Sequence, residues 1–384
     1  MTFALNEQWR LFRANRPPTT VAHLDTAAAG RSSVATLRAV AAHAEREATV
    51  GAYVAQAEAA GVLKHARAML AGLFAVEPGG IAFTESATAS LEALLRAWPL
   101  AEGDTVAVAP SEWGPNLDSF CHRGLRVAEL PTGRDGIVDL DALPGFLAAA
   151  PPAFVHLTPV ASHRPLVQPA AAVAAACRAA GVPLWMDAAQ ALGHIDVACG
   201  ADAAYGTSRK WLAGPRGVGL IAVPRPWWER LRPAASAMEC VVFADASPLL
   251  LIESHEAHVA GRVGLAAAVS EFLAADPAAV RARLAEVGRQ TRAALAAVPG
   301  WEVVPEAVGA DPASGSAITA LRPLAGQDVA AVRGRLLAEH QIVTTAALPV
   351  RAPREMTGPL LRVSPHVDCV PEDLERLAAA LPAR

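Results

Sequence analysis

From residue 81 onward the chain alternates short apolar runs with longer alanine-rich stretches whose apolar positions recur at helical spacing. Ile81-Ala-Phe83, Thr105–Ala109, Arg126–Leu130, Phe154-Val-His-Leu157 and Pro183-Leu-Trp-Met186 read as strands, with helices predicted over 89–98, 115–123 and 169–180. The continuous apolar run Gly217–Val223 reads as a strand buried on both faces. Strands and helices in alternation favour right-handed crossovers, hence an α/β fold around a mainly parallel sheet.

Outside this block the pattern changes. Residues 1–20 carry Trp9, Leu11 and Phe12 on a short amphipathic helix that stops at Pro17-Pro18, an arm. Val21–Gly30 is an extended entry into a glycine turn, and a long helical stretch then runs to about residue 72. Beyond Pro224, helices near 259–275, 277–297, 327–339 and 371–381 are interspersed with strands near 317–322, 341–345 and 360–364. The expected organisation is an arm (1–20), a large domain (21–258) and a smaller α+β domain (259–384).

Composition narrows the class. With 384 residues, 53% hydrophobic and 18% charged, the chain has material for two domains and a large core. Thirty-three basic against 37 acidic residues, with no basic block, give no reason to expect nucleic acid or an anionic membrane as partner. No apolar run is long enough for a membrane span, and the N-terminus lacks the apolar core of a signal peptide. Five scattered cysteines, with no Cys-x-x-Cys, give neither a disulfide framework nor a zinc site, so a reducing cytoplasm is expected.

The chemistry gathers in two strand ends. Leu184-Trp-Met-Asp187-Ala-Ala-Gln190 ends a strand in a carboxylate, and Ala203-Ala-Tyr-Gly-Thr207-Ser208-Arg209-Lys210 ends the next in a lysine turn. Open parallel sheets bind their ligands at carboxyl ends of this kind. Lysine is costly to desolvate, and covalent capture of an aldehyde is one reason to place it there. A carboxylate opposite would keep a pyridoxal ring nitrogen protonated and make the ring an electron sink. Taken singly, Asp187 is a common strand-end cap and Arg209-Lys210 a common solvated turn; their order before Gly214-Pro-Arg-Gly217 is what carries the signal. Thr84-Glu-Ser86-Ala87-Thr88 is a hydroxyl-rich turn opening a helix, which reads as an anion site or as a plain N-cap.

On these motifs the chain resembles the class V aminotransferase family of fold-type I pyridoxal-phosphate enzymes, which contains the cysteine desulfurases, over nearly its whole length. The resemblance implies pyridoxal 5′-phosphate bonded to Lys210, with Asp187 on the ring nitrogen and Gln190 on the phenolic oxygen. It further implies Ser86, Ala87, Thr88, Thr207 and Arg209 on the phosphate, Trp113 stacked over the ring, and Ser162 near the phenolic oxygen. Arg362 is expected to clamp the substrate carboxylate, with Thr26 and Ala27 also on the substrate side. A homodimer is expected on the same ground.

Two departures bear on the reaction. Where the family often supplies a Gly-Thr to the phosphate, this chain has Glu253-Ser-His255-Glu256. A glutamate would repel the phosphate, so this segment is expected to face the substrate instead. The cysteine that desulfurases carry ahead of the carboxylate-binding arginine is also missing: none lies between Cys240 and Cys369. A thiolate nucleophile is therefore lacking. The expected reaction is β-elimination on a cysteine S-conjugate sulfoxide, as in the branch that cleaves the C–S bond of hercynylcysteine sulfoxide. Such a substrate would also need a site for a trimethylammonium, with Glu253, Glu256 and Trp9 as candidates. An aminotransferase, a desulfurase-like enzyme and an inactive protein that keeps the fold for binding are the alternatives.

Overall fold

The computed structural model describes residues 5–233, 247–253, 256–309 and 315–383. Its centre is a seven-stranded sheet in the order 81–84, 219–222, 203–207, 184–187, 154–157, 105–108, 126–129. Thr105–Val108, Arg126–Glu129, Phe154–Leu157, Leu184–Asp187 and Ala203–Thr207 run parallel, as their intervening helices require. Gly219–Ala222 instead runs antiparallel to both its neighbours. Only residues 208–218, with Gly217 at φ 80°, separate it from Thr207. A chain reversal that short cannot make the crossover a parallel neighbour needs.

Both faces of this sheet are covered. On one, Phe154 stacks on Trp185 at 4.1 Å, with Trp98 and Phe120 packed nearby. On the other, Phe83, Met186 and Leu220 meet Leu70, Leu265 and Val269. The helical stretch before residue 72 is three helices, Val34–Val50, Ala52–Glu58 and Ala60–Phe74, broken first at Gly51 with its φ of 92°. Helix Val259–Ala274 packs against the first and third of these. Gly264 permits that approach: a Cβ there would lie 2.5 Å from Val40.

The second sheet is antiparallel, in the order 301–303, 319–323, 360–363, 345–347. The stretch expected as one strand near 341–345 is two, Ile342–Val343 and Thr345–Ala347, serving different sheets. Ala22–His23 pairs in parallel with Ile342–Val343, and Asp25 bridges to Ser364. The turn at Thr26 and Ala27 is thereby laid against the strand that carries Arg362. Helix Glu7–Ala14 is capped by Asn6, and Arg16 behind it pairs with Glu271 at 2.9 Å. Among the described residues no single helix is long and apolar enough to cross a membrane.

Candidate active site

Chain order reverses direction across the large sheet between the neighbouring strands Thr105–Val108 and Phe154–Leu157. At such a switch point the loops leaving adjacent strands diverge and open a crevice. A cavity of about 310 Å³ lies there, lined by residues that follow four parallel strands. Trp113 and Asn116 follow the first, Thr158 and Ser162 the second, Asp187, Ala189 and Gln190 the third, and Thr207, Arg209 and Lys210 the fourth.

Lys210 is fixed by its successor. Trp211 is fully buried, stacks on His194 at 3.9 Å and donates its indole N–H to Gln190 Oε1 at 2.9 Å. The turn closes through Ala213, which adopts a left-handed φ of 51° and donates its N–H to the Lys210 carbonyl. Gly30 lies directly over that carbonyl; a Cβ there would come within 2.5 Å. Burial lowers the Lys210 pKa to about 7, opposed by Asp187 and reinforced by Arg209, Arg362 and Arg351. A substantial neutral fraction is therefore present near neutral pH.

Asp187 has a built support. One carboxylate oxygen accepts from Ala189 N–H at 2.8 Å and the other from Asn116 Nδ2 at 3.0 Å. Asn116 also reaches Glu112 at 2.9 Å, and Glu112 takes further bonds from Thr158 and the Trp113 N–H. Behind this, Glu112 meets His156 Nδ1 at 2.8 Å, and His156 Nε2 meets the Tyr205 hydroxyl at 3.0 Å. Desolvation opposes charge on both groups of the pair, yet their mutual attraction prevails: Glu112 is shifted down and His156 up. Burial and the Asp187 charge push the Tyr205 hydroxyl well up, which keeps it a neutral donor.

The hydroxyl-rich turn faces the same cavity. Ser86 caps helix Ala87–Ala97, accepting the Ala89 N–H at 3.0 Å, while Ser86, Ala87 and Thr88 all line the wall. Gly219 lets the turn sit against the sheet, since a Cβ there would lie 2.4 Å from the Ser86 backbone. Thr207 and Arg209 add a hydroxyl and a guanidinium, so helix N-terminus, hydroxyls and cation together form an anion receptor.

The remaining expected residues divide. Trp113, Ser162, Gln190 and Ala27 line the cavity, and Gln190 also donates to the Ala27 carbonyl at 2.9 Å. Thr26 and Arg362 do not line it and are fully buried. Arg362 pairs with Asp25 at 2.9 Å and donates to the Ser162 carbonyl at 2.8 Å, with its Nε left without a partner. Asn116, Thr158 and Arg351 line the cavity without having been singled out in the sequence. The strand-end rule marks Thr158, and i, i+3 spacing from Trp113 marks Asn116; no local signal marks Arg351.

The three candidates for a trimethylammonium site turn elsewhere in this chain. Glu253 is 2% exposed, pairs with Arg67 and Arg262, and accepts the Phe83 N–H at 2.7 Å, which corrects the expectation that it faces substrate. Two arginines and a strand N–H satisfy its charge away from the cavity. Glu256 bonds the Tyr53 hydroxyl at 3.0 Å, and Trp9 is packed in the core. Ser254 and His255 lie outside the described residues, as does Cys240. None of the described cysteines lines the cavity. Burial raises the Cys177 thiol to about 12 and pushes Cys369 well up.

An anion receptor, an isolated carboxylate held by hydrogen bonds, an aromatic face and a depressed lysine converge on one cavity, and this donor set fits pyridoxal 5′-phosphate. The aminotransferase class-V family model matches residues 22–377. The probable hercynylcysteine sulfoxide lyase of Mycobacterium tuberculosis is 48% identical, covering 99% of this chain and 93% of that protein. Two solved cysteine desulfurases share the fold. One, from Thermococcus onnurineus, has a TM-score of 0.82 at 17% identity and covers 98% of this chain and 97% of that one. The other, from Escherichia coli, has a TM-score of 0.80 at 21% identity and covers 98% of each chain.

Proposed function

Starting from the fact that the chain belongs to the class V aminotransferase family of fold-type I pyridoxal-phosphate enzymes, we propose that it is a carbon–sulfur lyase acting on hercynylcysteine sulfoxide. Pyridoxal 5′-phosphate is its cofactor, and when bound it supplies an electron sink for charge developing at the substrate's α-carbon. The remaining steps belong to side chains of this chain.

Lys210 would be the attachment point for the cofactor aldehyde and, as a free amine, would be the base for the α-proton. An amine with a pKa near 7 suits both tasks at neutral pH, because enough of it is neutral to act as nucleophile and base. Positioned proton transfer of this kind contributes about 10²–10⁴-fold. Asp187, positioned by hydrogen bonds from Asn116 and the Ala189 N–H, would meet the ring nitrogen. Ser86, Ala87, Thr88, Thr207 and Arg209 would receive the phosphate, Trp113 would cover the ring, and Gln190 and Ser162 would serve its phenolic oxygen. Arg362 lies behind the cavity wall, paired with Asp25 and with its Nε unpartnered, and it is assigned the α-carboxylate on the family resemblance, with Thr26 and Ala27 in the turn beside it.

As the α-proton passes to Lys210, the Cβ–S bond breaks and its electron pair leaves with sulfur as a sulfenate. Hydrolysis of the three-carbon fragment gives pyruvate and ammonia. The sulfenic acid needs a two-electron reduction by an external thiol to become ergothioneine. The observation that carries this reading is a depressed lysine in a cavity whose described wall contains no cysteine. Such a site has a base for elimination, and none of the described cysteines stands at its wall to accept a persulfide. The activity for which the Mycobacterium tuberculosis relative is named supplies the substrate.

The family expectation of two subunits is carried into the proposal, with the exposed side chains of Val54 and Val62 offered to a second copy. Four free cysteines among the described residues support a reducing compartment, the cytoplasm. The division into arm, large part to residue 258 and smaller part from 259 is retained as part of the proposal.

The test is a panel of cysteine sulfoxides and thioethers, including hercynylcysteine sulfoxide, assayed for pyruvate. Pyruvate release greatest with hercynylcysteine sulfoxide is expected. Steady amino transfer to a keto acid with no pyruvate from any sulfoxide would make the protein an aminotransferase, and persulfide on Cys369 during turnover would make it a desulfurase.

A further inference from the structure

The short helical turn Pro349–Arg351 brings a guanidinium to the cavity that the expected site does not use. The turn is fastened against the first residues of helix Gly114–His122. A Cβ on Gly114 would lie 2.0 Å from the Val350 carbonyl, so only glycine allows the two backbones to meet. Ala352, next in the chain, is fully buried. This clasp holds the Arg351 guanidinium 5.3 Å from the centre of the Trp113 ring, over the residue expected to cover the cofactor.

Its guanidinium is not paired with a carboxylate among the described residues. The neighbouring Arg354 pairs with Glu129 at 3.6 Å, Glu355 is taken by His163 and Arg164, and Arg362 is paired with Asp25. Among the described residues, no carboxylate lies within 4 Å of Arg351 and its side chain makes no hydrogen bond. Burial and the nearby Arg362 lower its pKa, against the more distant charge of Asp25, only to about 10, so it stays charged at neutral pH. A cation directed into a cavity with no carboxylate bonded to it is a receptor for charge that arrives with the ligand or develops in the reaction.

We infer that Arg351 receives the oxygen of the departing sulfenate, donating N–H bonds to the atom on which negative charge appears as the Cβ–S bond breaks. This rests on the lyase reading above. The electron accounting is closed within the step. The Cα–H pair becomes the Cα–Cβ double bond, the Cβ–S pair leaves with sulfur, and the proton goes to Lys210. Thr88, Thr207 and Arg209 would meet the phosphate, and the α-carboxylate is assigned on the family resemblance to Arg362. The guanidinium left over therefore matches the one anion still to be formed. Arg351 is accordingly a catalytic residue for C–S cleavage and not for the preceding proton removal.

The two steps can be read separately in the holoenzyme. With Arg351→Gln, kcat for pyruvate release from hercynylcysteine sulfoxide should fall on the order of 10²-fold, the cost typical of losing one oxyanion donor. Exchange of the L-alanine α-proton in D₂O, and the apparent affinity for L-alanine, should stay within about twofold of wild type, since L-alanine has no leaving group. Arg351→Lys should recover part of kcat by restoring the charge without the fork. Parallel losses of alanine exchange and affinity would identify Arg351 as a carboxylate clamp and overturn the inference, as would an unchanged kcat. If wild-type enzyme exchanges the alanine proton yet releases no pyruvate from the sulfoxide, the lyase reading itself falls, and this inference with it.

Discussion

Replacing Lys210 by methionine should stabilise the cofactor-free protein, by an amount that depends on pH in a calculable way. The lysine pKa moves from 10.5 to about 7 on folding, mainly through burial. The folded chain thus binds fewer protons at this position than the unfolded chain, and stability rises with pH from about 7 to about 10.5. At about 1.4 kcal/mol per unit, keeping an ionisable amine here costs about 4 kcal/mol at pH 7 and about 2 kcal/mol at pH 9. Both figures are ceilings, because the amine opens on a cavity that admits water. Methionine keeps the stem and removes the amine. Urea unfolding of the two cofactor-free proteins isolates this group, since every other titration is common to both. The variant should be the more stable at pH 7, with an advantage that roughly halves by pH 9. A variant less stable at both values, or a difference independent of pH, would refute the argument that Lys210 is held in an environment that neutralises it.

Three further substitutions probe separate parts of the site. Glu112→Gln removes the charge from a buried pair and should cost roughly 2–4 kcal/mol, read by urea unfolding at pH 7. Glu112 contributes above its unfolded pKa, and His156 below its own raised one, so the variant's deficit should narrow toward both pH extremes. Arg209→Gln should weaken cofactor binding about 10–100-fold in a spectral titration, the loss of one charged hydrogen bond to phosphate. Gly114→Ala drives a methyl into the Val350 carbonyl and should lower C–S cleavage by displacing Arg351, while cofactor affinity, set from the Ser86 and Arg209 side, stays close to wild type.

Much of the site is written locally in the chain. Asp187 and Lys210 stand at carboxyl ends of strands whose apolar runs give them away, and Ser86 is a cap whose helix follows at once. The direction of Gly219–Ala222 was not legible in this way, because a run buried on both faces reads alike forwards and backwards. The length of the connection 208–218 held the answer, since it is too short for a helical crossover. One glycine at position 51 was too little to divide the long helical stretch until its positive φ was seen. What lay furthest from the sequence was partner choice. Arg362 meets Asp25 across 337 residues and Glu253 meets Arg67 across 186, distances over which no spacing rule operates. Arg351 comes to the cavity through a turn clasped by Gly114, a relation between two loops that neither reveals alone.

The claim on which the rest depends is that the amine at position 210 carries the cofactor. Borohydride reduction of the purified yellow protein, followed by proteolysis and mass spectrometry, reads this directly. The pyridoxyl-phosphate mass should appear on the peptide containing Lys210, and Lys210→Ala should abolish both label and pyruvate release. A label fixed on Lys64, or on the N-terminal amine, would contradict the account.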